Sequence, residues 1–203
     1  MIYLVDMEHP GLVVFPTHRL VRDLPNFDKE AGPQKRSRIS FLKQKKCSEF
    51  FYIDEKEGTD TMEEDLKKLY DEGKKAFGFY CGKGEWFLLT LKNIDFMSQM
   101  LPNVSKASQS LDVSVLHTLI LEKIFGIDKE NMAKQINLTY TKFFTEAIDG
   151  VDKGEFQCSF VLNPTRVTEI RDVAAAGEKM PQKSTYFYPK MITGMVMNNL
   201  GVD

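Results

Sequence analysis

The sequence predicts an α/β (α+β) fold, a mixed sheet with β-hairpins and flanking helices. Strand-like and helix-like segments interleave along the whole chain, and two pairs of strand segments are joined by short glycine-containing turns that bring antiparallel pairing into the sheet. The 203 residues suffice for one apolar core without disulfide or metal staples. No repeat or low-complexity tract divides residues 1–203, so a single domain is expected.

Each element follows from local pattern. Residues 2–5, the Pro10-Gly11 turn and residues 12–15 read as a hairpin, because proline presets φ and glycine accepts a positive φ. Residues 12–15 (LVVF) lack polar alternation and are expected to be buried on both faces. Residues 23–36 read as a loop, 38–49 as a helix and 50–53 as a strand. Thr61 and Glu64 fit a capping box for a helix whose inner face holds Met62, Leu66, Leu69 and Tyr70. Glu63–Lys67, Glu64–Lys68 and Asp71–Lys75 are i,i+4 pairs on its outer face. Residues 76–81 and 85–91 form a second hairpin around Gly82-Lys83-Gly84. Ser110 is placed to cap a long helix over 111–125, closed by Gly126. A strand at 136–140, a helix at 142–148 and a half-buried strand at 156–162 follow. Asn163 as N-cap and Pro164 at the first helical position open a helix with Val167, Ile170 and Ala174 inside and Gly177 at its end. Residues 185–197 form a last strand region, broken by Pro189 and Gly194.

Composition narrows the function. Lys+Arg 27 against Asp+Glu 29 leaves a formal charge of −2, which argues against wholesale binding to nucleic acid or an anionic membrane. No apolar run has the ~18 residues of a membrane span. The start of the chain lacks the basic lead-in of a signal peptide. Cys47, Cys81 and Cys158 form no CxxC pair, so neither a disulfide framework nor a zinc site is expected, and a reducing cytoplasm is the expected compartment. With histidines only at 9, 18 and 117, no metal site is expected.

Two polar clusters stand beside apolar strands. In Pro16-Thr17-His18-Arg19, Thr17 is polar, His18 can donate, accept or shuttle a proton, and Arg19 can hold a carboxylate or phosphate in a bidentate fork. Pairing of Arg19 with a structural acid is the alternative. In residues 178–188, Glu178, Gln182, Lys183, Ser184, Thr185 and Tyr186 concentrate hydrogen-bonding groups between a helix end and an aromatic strand. Lys183, Ser184 and Thr185 would suit an anion and Glu178 a general base; a capped loop entering a core strand is the alternative. On a 100° wheel His117 falls among Val113, Ile120, Leu121 and Ile124, the position of a hydrogen-bonded core histidine. Asn163 begins a helix start that can meet an anion or simply cap. Six basic residues, Lys35, Arg36, Arg38, Lys43, Lys45 and Lys46, lie in a stretch without acids; they can touch phosphates or form a solvated face.

The string Ala176-Gly177-Glu178-Lys179-Met180-Pro181-Gln182-Lys183-Ser184-Thr185-Tyr186-Phe187-Tyr188-Pro189-Lys190, followed by Thr193-Gly194, resembles the C-terminal signature of a widespread prokaryotic family, domain-of-unknown-function family 1015. Pro16-Thr17-His18-Arg19, Leu116-His117 with Leu121-Glu122, and Asn163-Pro164-Thr165 resemble further motifs of that family, and the likeness runs from Tyr3 to Met197. Members are longer and carry an Asp-Gly-His-His-Arg-type motif upstream of the strand matching residues 2–5, a motif this sequence does not have. The resemblance therefore implies the C-terminal part of a longer protein. The half it lacks is similar to the ParB/sulfiredoxin-like fold, which includes nucleotide-using serine kinases and DNA-associated proteins.

These readings together lead to the expectation of a phosphate- or nucleotide-binding domain, with a phosphotransferase as the reaction class and a phosphorylated small molecule or nucleotide as ligand. Arg19 and Lys183 would neutralise phosphate charge while His18 and Ser184 orient the ligand. The alternatives are a non-catalytic module packing on the N-terminal half of the same protein, and a DNA-associated role drawn from the basic run. The sequence names no cofactor and no catalytic residue.

Overall fold

The computed structural model describes residues 6–7, 9–25, 27, 42 and 46–190. The expected strand at 2–5, most of the loop at 23–36 and of the helix at 38–49, the basic residues Lys35, Arg36, Arg38, Lys43 and Lys45, and residues 191–197 of the last strand region lie outside the described residues.

The fold is α+β, as the interleaved pattern predicts. The described strands are β1 (Val13–Phe15), β2 (His18–Val21), β3 (Phe51–Glu57), β4 (Ala76–Tyr80), β5 (Glu85–Leu91), β6 (Leu138–Thr141), β7 (Cys158–Val161) and β8 (Tyr186–Tyr188). The helices are α1 (Cys47–Phe50), α2 (Met62–Asp71), α3 (Asp95–Met100), α4 (Lys106–Gln109), α5 (Asp112–Val115) with a π-helix directly after it (Leu116–Glu122), α6 (Lys129–Lys134), α7 (Phe144–Asp152) and α8 (Val167–Ala175). Six strands form one sheet in the order β3-β5-β4-β7-β2-β6, and β1 pairs with β8 in a separate ribbon. Every described pair is antiparallel, so the parallel component of the expected mixed sheet is absent among the described strands.

The sheet is covered on both faces. Alternation along the strands sends Phe77, Phe79, Phe87, Leu89, Cys158 and Phe160 into one core, where they meet the α5–π-helix segment through Val115, Leu116, Leu119 and Ile120. Phe79 stacks on Phe160 with centroids 4.9 Å apart, and Phe125 sets its edge against Phe160 at 5.4 Å. Ala76, Tyr80, Trp86, Leu88 and Val161 face the other way, against Met62 and Leu66 of α2 and Ala147, Ile148 and Val151 of α7. A buried cluster pins the start of β4: Lys75 Nζ lies 2.9 Å from Asp112 Oδ1 and 2.8 Å from Glu169 Oε1. Burial disfavours the Lys75 ammonium, but the two carboxylates outweigh it and raise its pKa.

Five local expectations are corrected. Residues 12–15 are not buried on both faces, since Val13 is 43% exposed in the outlying ribbon; β2 is buried on both faces, as β4 and β7 are. The 156–162 segment is not half-buried, because β7 lies between β4 and β2 with a core on each side. Thr61 makes no side-chain cap bond. Ser110 does not cap the long helix either: Ser110 Oγ donates to the Ala107 carbonyl, while Ser105 caps α4 and Asp128 caps α6. Asn163 donates through Nδ2 to the Leu66 carbonyl, and α8 starts later, where Glu169 Oε2 accepts from the Arg166 backbone N–H at 3.0 Å. The 85–91 hairpin forms as expected around Gly82, Lys83 and Gly84, all at positive φ.

Gly150 tests the packing between α7 and the sheet. Glycine to alanine within a helix ordinarily gains about 1 kcal/mol. Here the added Cβ would stand 2.9 Å from Phe156 Cδ2 and 3.2 Å from Leu20 Cδ2. Gly150→Ala is expected to reverse the sign and lose about 1–2 kcal/mol in urea unfolding.

Candidate functional site

The site is built around a buried charge. β2 lies between β7 and β6, and its alternation sends Arg19 toward the core containing Val21 and His18 toward the opposite face with Leu20. Arg19 is 0% exposed. Its Nη1 donates to the Thr17 carbonyl, and its Nη2 donates to His117 Nε2 at 3.2 Å and to the Lys183 carbonyl at 3.1 Å. The guanidinium carbon is 5.5 Å from the centroid of the Tyr140 ring, its cross-strand neighbour on β6. Among the described residues no carboxylate pairs with Arg19, and its Nε has no partner. Burial lowers its pKa to about 10, with Tyr140 acting in the other direction; the group remains a cation at neutral pH. A guanidinium can only donate, so His117 Nε2 accepts and the ring proton sits on Nδ1. Burial, and then the charge of Arg19, hold the His117 pKa at about 3.

His117 connects Arg19 to a cavity of about 700 Å³. Leu101, Val104 and Met132 give it an apolar side. Ser114, His117, Thr118 and Glu122 come from α5 and the π-helix, Tyr140 from β6, Lys129 from α6, and Glu178, Lys179, Pro181 and Gln182 from the segment after α8. The π-helix matters here. Its i→i+5 bonding widens the turn, seen at its end where both Ile124 N–H and Phe125 N–H donate to the Ile120 carbonyl. His117 therefore stands half-buried at the cavity wall rather than among Val113, Ile120 and Ile124. It is hydrogen-bonded, as a core histidine would be, but it also faces open space.

Glu178 lines the same cavity with its carboxylate committed. Oε1 accepts from Ser105 N–H at 2.7 Å, and Oε2 accepts from Ser105 Oγ at 2.7 Å and from Ser108 Oγ. The Ser108 and Ser105 bonds hold its carboxyl below the usual range, which suits an anchor for the 178–184 segment better than a general base. Glu122 is the contrasting acid: burial pushes its carboxyl up, opposed by Lys129.

The sequence-selected residues fall into three places. Glu178 and Gln182 share the cavity with His117. Arg19 and Lys183 do come together, through the Lys183 backbone carbonyl and not its ammonium, which points outward on an exposed residue with φ 55°. Thr17 and Ser184 are buried beside them; each hydroxyl lacks a partner, while the Ser184 carbonyl accepts from Thr165 Oγ1 at 2.8 Å. Thr185 is half-buried and leads into β8. Tyr186 lies in the β1–β8 ribbon, its ring under Lys142 at 4.6 Å and Lys190 at 4.0 Å. His18 and Asn163 border a second, smaller cavity on the opposite face of the sheet. There His18 Nδ1 accepts from Leu162 N–H at 3.2 Å, and burial followed by Arg19 lowers its pKa to about 4. Sequence reasoning missed Ser114, Thr118 and Lys129 as wall residues: nothing in a helical wheel signals the π-turn that carries Thr118, and Ser114 and Lys129 reach the wall through tertiary packing of other helices.

Acid sensitivity follows from the two histidines. In the unfolded chain both titrate near 6.5, whereas the fold holds them at about 3 and about 4. Below pH ~6.5 the unfolded state binds more protons, so their contribution to stability is complete above that pH and lost as pH falls. Urea unfolding is expected to weaken from about pH 6.5 to 5 by up to about 1.4 kcal/mol per pH unit for each histidine, and His117→Gln should flatten that slope.

Comparison with known proteins places the chain. The family described as "Protein of unknown function (DUF1015)" matches residues 1–114, a span that contains Pro16–Arg19 but not the 176–190 string. Among solved structures, a conserved hypothetical protein from Pyrococcus furiosus aligns with 17% identity and a TM-score of 0.45, over 90% of this chain and 59% of that one. A free serine kinase mutant in complex with AMP aligns with 13% identity and a TM-score of 0.44, over 90% of this chain and 56% of that one. The chain thus spans under two thirds of the length of either. No curated protein matches it. The match over more than half of its length makes this chain a member of the DUF1015 family.

Proposed function

We propose that this domain binds a phosphorylated small molecule, most simply a nucleotide, in the cavity beside Arg19. The observation that carries the reading is the fully buried guanidinium with no carboxylate partner among the described residues. Taking a cation out of water costs several kcal/mol unless an opposite charge or oriented dipoles compensate. Two carbonyls and a neutral imidazole supply dipoles here, but no anion. A ligand phosphate in the cavity would supply the charge across His117. Its oxygens have donors in His117 Nδ1–H and the Ser114 and Thr118 hydroxyls, with Lys129 and Lys179 on the same wall. Leu101, Val104 and Met132 offer an apolar surface for the rest of the ligand, and the volume lies within the range of small-molecule sites. The reading is one of binding, since the Glu178 carboxylate is already taken by Ser105 and Ser108.

A second reading has its own observation. Among the described residues the β1–β8 ribbon has two strands and leaves Val13 43% and Tyr188 52% exposed, and such ribbons are marginal in water alone. The ribbon would then be a surface on which the N-terminal half of a longer relative packs.

Calorimetric titration with AMP, ATP, phosphoserine and adenosine tests the first reading. Phosphorylated ligands are expected to bind at least about tenfold more tightly than adenosine, and Thr118→Val and His117→Gln to weaken them by about 1.4 kcal/mol or more. Equal affinity for adenosine and AMP, or unchanged affinity in both variants, sinks it.

A further inference from the structure

The second cavity, on the opposite face of the sheet, holds about 310 Å³ and lies outside the site just assigned. Its walls are Leu66 of α2, Val161 of β7 and Leu162, closed by Pro16 and Pro164. Polar groups also line it: Tyr70, Asn163, whose Nδ2 donates to the Leu66 carbonyl, and His18, 2% exposed on β2 between β7 and β6. Its Nδ1 accepts from the Leu162 backbone N–H at 3.2 Å. A neutral imidazole with one accepting nitrogen carries its proton on the other, so Nε2 is a donor, and among the described residues nothing accepts from it. A donor on the wall of a largely apolar cavity with no protein acceptor can take one from a ligand or water.

We infer that this cavity binds a small carboxylic acid with a short branched apolar body, its carboxylate accepting from His18 Nε2–H. The apolar body fits Leu66, Val161 and Leu162. A carboxylate is favoured over a neutral carbonyl because Arg19, adjacent on β2 and without a counter-ion, projects its field onto His18. The mouth adds Lys67, whose ion pair with Asp71 is exposed and therefore weak enough to open toward an anion. Glu63 at the same mouth selects against dianions.

The probe is isovalerate, with isovaleramide as its uncharged isostere, added to the ¹⁵N-labelled chain while the His18 side-chain nitrogen resonances are followed. Isovalerate is expected to shift the Nε2 resonance and to raise the pKa of His18, since the bound anion favours imidazolium. Isovaleramide should bind at least about tenfold more weakly. His18→Gln, which keeps an N–H donor, should retain binding, and His18→Phe should abolish it. The exposed substitution Lys67→Met does not depend on the core tolerating a change at His18, and it should weaken isovalerate severalfold and leave isovaleramide unaffected. AMP should leave the His18 resonances in place, which separates this cavity from the other. No movement of His18 with isovalerate, equal affinity for the amide, or unchanged isovalerate binding in Lys67→Met overturns the inference.

Discussion

An arginine with 0% exposure and no acid beside it organises this domain. Through its donors the Arg19 guanidinium fixes three separate pieces of chain: the Thr17 turn into β2, the π-helix at His117, and the segment after α8 at Lys183. The contacts to His117 and Lys183 are distant in sequence, and the π-helix and the segment after α8 that they hold both line the larger cavity. The charge also sets the protonation of its surroundings. It is the second cause, after burial, of the low pKa of both His117 and His18, so each ring offers one fixed donor and one fixed acceptor at neutral pH.

The protein contains its own comparison for what a settled buried cation looks like. Lys75 is mostly covered and sits within 3 Å of two carboxylates, Asp112 and Glu169, which tie β4 to α5 and α8. That cluster sets one positive charge directly between two carboxylates. Among the described residues, the surroundings of Arg19 carry one positive charge against none, with Arg19 Nε, Thr17 Oγ1 and Ser184 Oγ buried and unpaired. A purely structural arginine would resemble Lys75, and this difference is what supports the proposal of an anion site on this side of the sheet.

Much of the fold was legible in the sequence. The strands at 76–80 and 85–91 and the helix at 62–71 follow from alternation and from a 3.6-residue apolar face. The errors came where tertiary context decides. Pattern cannot tell an outlying ribbon such as β1 from an interior strand, and the polarity of Thr17-His18-Arg19 concealed that β2 is buried on both faces. Caps were misassigned at Thr61, Ser110 and Asn163 because a cap-forming residue signals only the capacity to cap. Arg19, Glu178 and Gln182 were legible as site candidates from their density of donors and acceptors. His117 was not, because a wheel at α-helical spacing rotates it into the core, whereas the wider π-turn brings it to the cavity wall. Lys183 was identified for its ammonium and contributes its carbonyl, a distinction invisible in residue identity.

Adjacent residues on β2 look in opposite directions, His18 into one chamber and Arg19 toward the other. The two chambers thus share a partition a single strand thick. A strand paired on both edges cannot slide without exchanging its two faces, so neither chamber can be reshaped at this wall without disturbing its neighbour. Adaptation to a new guest on one side is therefore confined to the helical linings, α2 for one chamber and the π-helix for the other, while the partition stays as it is.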